Sequence, residues 1–356
     1  MNSRIKSLDG LRGILCILVV FHHYDAKYIP PYFFENFIIR QADLLVDFFF
    51  IISGFVISYN YKHIATIEEA KLFLKKRFFR LYPLLLYTTT LYFIFEIVSR
   101  NAFSSFINKE INNTTIIKSY LDTLFLNNST PLLGSSWGIN RPTWSISAEF
   151  YSYVFFSIAL IWITPKFRNI IMGLPLIAAA IILFYVSRNG KVSNAEYGYL
   201  RCLYLFIGGF FIEKIKVNKY QLPSWLGNLI FFSIIIILYF NKNIIENQMF
   251  HNSVEIVCIP FLFSLLLYFT IHTNGLLTKI LNTKPIQWLG KYSFSIYLNH
   301  ALILLVLPKF IFQVLKLEKL TYLEFGIFAL CILLILLYSR ITFKFIEEKF
   351  YLKRIQ

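Results

Sequence analysis

TYLEFGIFALCILLILLYSRIT, residues 321–342, decides the fold. Between Glu324 and Arg340 it carries no charge, and crossing a hydrocarbon core of ~30 Å takes ~20 mostly apolar residues. Nine more segments read the same way: 10–29, 43–60, 81–98, 143–163, 169–187, 199–214, 225–241, 253–272 and 288–308. They predict an all-α fold, a polytopic membrane bundle of about ten transmembrane helices. Segments 43–60 and 199–214 are short for a crossing. The stretch 115–128 is too short and too polar to cross alone, and reads as an amphipathic or re-entrant piece.

Composition says the same. Hydrophobic residues make up 57% of the 356 and charged residues 15%, against about 25% charged in an ordinary soluble domain. A water-soluble fold would have no surface for so much apolar area. The net charge of +16 raises nucleic acid as a partner, and its placement argues against one. Across ten spans, 21 lysines and arginines fall on the side of the two termini and 12 on the other, with Arg12 and Arg201 inside spans. By the positive-inside rule both termini are expected in the cytoplasm, their basic loops lying against anionic lipid. Cys16, Cys202, Cys258 and Cys331 all lie within apolar spans, which excludes a disulfide framework and any Cys/His spacing for a metal. The first span holds Arg12, His22 and His23 and lacks a small-residue cleavage site, so it is not a signal peptide.

No extramembrane domain stands out, and residues 1–356 read as one transmembrane domain. The longest loop, 99–142, is expected outside and has the length of a lid or binding loop. The connection 61–80 ends in EEAKLFLKKRFFRLYP, an amphipathic helix expected at the inner surface. The internal repeats that mark many transporters are not evident.

Ionisable groups inside a membrane are expensive and are candidates for function. Arg12 and His23 are eleven residues apart, about three turns, so they project from one helix face about 16 Å apart along the axis. That pair fits a cytosolic cofactor with an anionic head and a long thin arm; it also fits a snorkelling arginine and a packing histidine. His22 points about 100° away. Topology puts His23, Asp47 and Glu149 in one outer-middle layer, where a carboxylate could orient an imidazole and raise its basicity; an interhelical polar clamp is the alternative. Ser145, Glu149 and Ser152 share a helix face, and Trp144 either stacks on a substrate ring or sits in an interfacial belt. Ser293, Tyr297 and His300 form one polar stripe that lines a cavity or bonds neighbouring helices. Arg77 and Arg80 share a face at the inner surface, suited to cofactor phosphates or to lipid headgroups.

Taken together, five blocks resemble the acyltransferase 3 family of bacterial membrane-bound O-acyltransferases. They are SLDGLRGILCILVVFHHY at 7–24 with Arg12 and His23, VDFFFIISGFVIS at 46–58 with Asp47, Ser53 and Gly54, and KKRFFRLYP at 75–83 with Arg77 and Arg80. PTWSISAEFYSY at 142–153 brings Trp144, Ser145, Ser147 and Glu149, and LGKYSFSIYLNH at 289–300 brings Ser295, Tyr297 and His300. The resemblance implies transfer of an acyl group, usually acetyl, from acetyl-CoA or another cytosolic acyl-CoA to a hydroxyl of a surface glycan or lipid-linked sugar, at the bacterial inner membrane. It implies His23 as general base or transient acyl carrier, oriented by Asp47 or Glu149, with Arg12, Arg77 and Arg80 on the donor phosphates and no metal. Trp144, Ser145, Ser147, Tyr297 and His300 would then line the substrate cavity. Some family members carry a fused hydrolase-like domain; this chain is expected to act without one. Ala148 and Phe150 stand where many members have other residues, which bears on the acceptor and not on the class. The rival reading is a transporter or flippase whose buried charges form a substrate or proton pathway.

Overall fold

The computed structural model describes residues 4–102, 112–129, 134–135, 137–187, 195–215, 223–243 and 248–352. These are helical throughout, with no strand among them. The long helices, in chain order, are α1 Lys6–His22, α2 Leu45–Asn60, α3 Ile67–Ala102, α4 Asn113–Leu124, α5 Thr143–Trp162, α6 Arg168–Ser187, α7 Gly198–Lys214, α8 Ser224–Asn243, α9 Ile259–His272, α10 Lys284–Lys309 and α11 Thr321–Thr342. Each of the ten apolar segments lies wholly or largely in helix. Among the described residues, eight helices are long and apolar enough to cross a membrane, two fewer than the ten expected. Helices α2 and α9 reach that length with the helical turns that precede them, Ala42–Asn60 and Phe250–His272, whereas α1 and α7, of 17 residues each, fall short at about 25 Å.

Three boundaries differ from the sequence reading, each for a local reason. The first span was expected to run to residue 29, but α1 stops at His22. The Asp25 carboxylate accepts from the Lys27 backbone N–H at 2.9 Å and starts a tight turn over Ala26–Tyr28, which Pro30 and Pro31 then keep from resuming the helix. The amphipathic connection and the third span are one element: α3 is continuous over 36 residues and passes through Pro83. At about 54 Å it is much longer than a hydrocarbon core, so it carries Arg77 and Arg80 on the same rod as the span. The stretch at 115–128 forms α4, whose Ile116, Ser119 and Thr123 turn inward at helical spacing, the amphipathic form expected.

The core is built on close helix crossings. Helices α2 and α7 meet through Gly54 and Gly209, which leave no room for a side chain. A Cβ on Gly54 would lie 1.9 Å from the Phe206 carbonyl oxygen, and one on Gly209 would lie 2.0 Å from that of Ile51. Helix α1 crosses α10 in the same manner, Gly13 against the Gly290 backbone. In a membrane the hydrophobic effect does not drive helices together, and small residues that bring backbones close do. Around this centre, Ile170, Leu174, Ile177, Ile181 and Tyr185 of α6 are all exposed, one apolar stripe at helical spacing that suits lipid. Cys16, Cys202 and Cys331 are buried and free, as packing residues are.

The α2–α7 crossing gives a direct test. Gly54→Val must push two backbones apart and is expected to cost about 3 kcal/mol, read as a lowered unfolding midpoint in detergent. Gly208, one residue from Gly209, has nothing within 4 Å of its Cβ position, so Gly208→Ala should leave the midpoint unchanged or slightly raised. Equal effects of the two substitutions would mean that close approach is not what holds α2 to α7.

Candidate functional site

Two cavities lie along α1, one at Arg12 and one at His23. The first is lined by Arg12, Arg77, Arg80, Ser53, Ser145, Glu149, Tyr153, Ser293 and Tyr297, among others. Five helices supply these groups: α1, α2, α3, α5 and α10. Three guanidinium groups thus face one space. The Arg77 guanidinium carbon sits 5.2 Å from the Tyr61 ring centroid, 5.7 Å from Phe73 and 5.9 Å from Tyr153, held in an aromatic cage. Its Nε is buried without a hydrogen-bond partner among the described residues, an arrangement that suits an anion arriving from outside the protein.

Glu149 stands in this same cavity, not beside His23. Its carboxylate accepts from Ser53 Oγ at 2.5 Å and from Tyr153 Oη at 2.6 Å. Tyr153 is one helical turn beyond Glu149, and that i, i+4 relation was readable in the sequence although only the glutamate drew notice.

Asp47 is committed elsewhere. Both of its oxygens accept from Arg201 of α7, Oδ1 from Nε and Oδ2 from a terminal nitrogen, each at 2.7 Å. The carboxylate is 2% exposed, so the bidentate pair is an internal strut between α2 and α7. The expected cluster of His23, Asp47 and Glu149 is therefore not what the structure builds. Periodicity within a helix carries no azimuth, and Arg201 is the group that Asp47 faces.

The second cavity holds His22, His23, Tyr92, Trp137, Arg141, Trp144, Tyr297 and Lys309. His23 Nδ1 lies 2.9 Å from the Val19 carbonyl oxygen. A carbonyl can only accept, so in the neutral ring Nδ1 carries the proton and Nε2 keeps its lone pair. The group that sets the tautomer is thus a backbone carbonyl one turn back, not a carboxylate. His300 packs against His23 at 5.0 Å between centroids and against Tyr297 at 5.9 Å. It is fully buried, and although the Ile296 and Tyr297 carbonyls are close, neither ring nitrogen makes a well-formed hydrogen bond. His22 also faces this cavity, its Nδ1 2.8 Å from the Ile39 carbonyl oxygen.

Val46 and Tyr297 line both cavities. The Tyr297 hydroxyl is 2.8 Å from Ser145 Oγ, which in turn donates to the Pro142 carbonyl oxygen at 3.0 Å. The stripe of Ser293, Tyr297 and His300 accordingly runs from the arginine cavity, across the shared wall, to His23. Trp144 lines the second cavity and meets Phe50 edge-on at 5.9 Å. Ser147 lines neither: it is fully buried and bonded to the Asn128 side chain. Ser152 likewise turns away, to Cys202 at 3.2 Å. Sequence reasoning passed over Arg141 and Lys309, whose signal was faint because both sit at the edges of the long loops.

Among the described residues no cluster of histidine, cysteine and carboxylate could hold a metal ion.

A family model described as an acyltransferase domain matches residues 5–340. The O-acetyltransferase OatA proteins of Staphylococcus aureus strains NCTC 8325 and COL are each 25% identical to the chain over 373 residues, covering 96% of it and 56% of themselves. The chain therefore spans little more than half the length of these relatives. No solved structure matches it.

Proposed function

The chain belongs to the acyltransferase 3 family, and on that footing we propose that it transfers an acetyl group from cytosolic acetyl-CoA to a hydroxyl of a surface or exported glycan. In this reading it works within the bacterial cytoplasmic membrane, through one transmembrane domain with both termini in the cytoplasm. The observation that carries the proposal is the pair of cavities meeting at Val46 and Tyr297, three arginines in one and His23 in the other.

Arg12, Arg77 and Arg80 hold the anionic head of the donor, where a planar guanidinium pairs well with phosphate. The pantetheine arm then runs along α1, whose Arg12–His23 offset of about 16 Å matches an extended arm, and brings the thioester to the shared wall. The acceptor hydroxyl approaches from the His23 side. Nε2 of His23 takes its proton while the hydroxyl oxygen bonds to the thioester carbonyl carbon. The carbonyl π electrons move onto oxygen, and the Tyr297 hydroxyl, turning from Ser145, is the donor placed to meet them. When the carbonyl reforms, the carbon–sulfur bond breaks and the thiolate leaves with the proton from His23. The products are the O-acetyl ester and free coenzyme A. Within this scheme Asp47 holds helices together, and Glu149 shapes the arginine cavity through Ser53 and Tyr153.

The donor side is tested by binding. Removing one charge-assisted phosphate contact is worth ~1.5–3 kcal/mol, roughly ten- to a hundredfold in affinity. Arg80→Ala is expected to weaken acetyl-CoA binding by that factor in purified protein whose unfolding midpoint is unchanged. Unaltered affinity would return Arg77 and Arg80 to the role of lipid-headgroup anchors.

A further inference from the structure

The His23 cavity continues into a neighbouring one. Asp25, Tyr92, Trp137, Arg141, Leu305 and Lys309 line both. Together they form a wide vestibule with two kinds of surface. Tyr92, Trp137 and Trp144 supply flat aromatic faces, the usual platform for the apolar face of a sugar ring. The charged part of the lining sets Lys27, Arg100, Arg141 and Lys309 against Asp25, Asp43 and Glu96, one cation in excess.

The positive groups of the adjoining cavity are Lys27, Arg100, Arg141 and Lys309, against Asp25 and Glu96. Glu96 is matched by Arg100 at 3.8 Å in an i, i+4 pair. Asp25 accepts from the backbone N–H of Lys27 and keeps its charge, and it and Glu96 lie within electrostatic reach of Lys309, which leaves Arg141 as the cation with least compensation. Arg141 lies over the Trp137 ring at 5.3 Å, and among the described residues neither Arg141 nor Lys309 has a carboxylate within 4 Å. Both also line the wall that holds His23. Two cations beside aromatic platforms, on the acceptor's side of the catalytic histidine, select a sugar that brings negative charge with it.

Resting on the acyltransferase reading above, we propose that this vestibule is an acceptor site for an acidic glycan, the sugar against Trp137 and its carboxylate or phosphate paired with Arg141 and Lys309. Charge-assisted contacts of this kind are worth a ten- to hundredfold gain in affinity, and screening reduces it as salt rises.

The test compares three probes in detergent-solubilised full chain: neutral maltotetraose, maltotetraose 6-phosphate and a hyaluronan tetrasaccharide. Binding is read directly, for example from tryptophan fluorescence, and [14C]acetyl transfer from acetyl-CoA is read separately. At least one acidic probe should bind tenfold or more tightly than maltotetraose at low salt, and which one does distinguishes phosphate from carboxylate. Arg141→Gln and Lys309→Met should each erase most of that preference while acetyl-CoA affinity stays as in the parent. Equal binding of all three probes, no binding of any, or a preference that survives both substitutions overturns the acidic site. Transfer to maltotetraose as fast as to the acidic probes also overturns it, while leaving the transferase reading standing. A strong acidic preference in binding with no transfer to any probe supports the site and counts against the transferase reading.

Discussion

His23→Ala is expected to abolish acetyl transfer while acetyl-CoA still binds, and His22→Ala is expected to keep most of the activity. Both histidines face the same cavity, so proximity alone does not separate them. Their neighbours do. His23 abuts His300, which abuts Tyr297 on the wall between the cavities, whereas His22 stacks towards Phe34 at 6.5 Å and bonds back to Ile39. With Nδ1 tied to Val19, His23 presents the lone pair of Nε2, the atom a general base needs to take a hydroxyl proton. Loss of a general base alone lowers rates by about 10²- to 10⁴-fold. The measurement is labelled acetyl transfer in proteoliposomes for parent, His23→Ala and His22→Ala, with acetyl-CoA binding as the control for folding. Near-parental transfer by His23→Ala would make the histidine a packing residue and remove the base from the scheme.

Asp47→Asn should destabilise the protein severely, and the double variant Asp47→Asn/Arg201→Gln should recover most of the loss. Breaking a buried pair leaves an uncompensated charge and costs about 3–5 kcal/mol, whereas removing both members is often close to neutral. With Arg201 11% and Asp47 2% exposed, water offers Arg201 little relief once its partner is gone. The unfolding midpoint and the transfer rate of both variants decide the matter. If Asp47 only braces α2 against α7, activity returns with stability in the double variant. If it orients His23, as its depth in the sequence suggested, the double variant stays inactive although folded.

The contrast between these two residues marks how far the sequence could be read. Hydropathy locates the helices because apolar length is a local property, and the eleven-residue spacing of Arg12 and His23 fixes a shared face because helical geometry is local too. What failed was convergence between helices. Asp47 and Glu149 are expected in one layer with His23, yet rotation about the helix axis sends one to Arg201 and the other to Ser53 and Tyr153. The same holds for Ser147, which faces Asn128 and not a cavity. Azimuth depends on which neighbour a helix packs against, and close contacts such as Gly54 on Phe206 set it; periodicity within one segment does not contain that information. Pro83 misled in another way: read as the end of an amphipathic piece, it sits inside a helix continuous from Ile67 to Ala102.

The wall of Val46 and Tyr297 also bears on the energetics of the cell. A polar cavity on each side of one thin partition is close in form to a channel, and an open water path would let protons and ions run down their gradients. Each elementary charge that crosses 100 mV dissipates about 2.3 kcal/mol. The side chains that line both cavities are one aliphatic group and one phenol, whose hydroxyl lies 2.8 Å from Ser145 Oγ. On the proposed function, a neutral acyl group handed across such a wall carries no charge with it, and chemistry would pass between two compartments while the membrane stays electrically sealed.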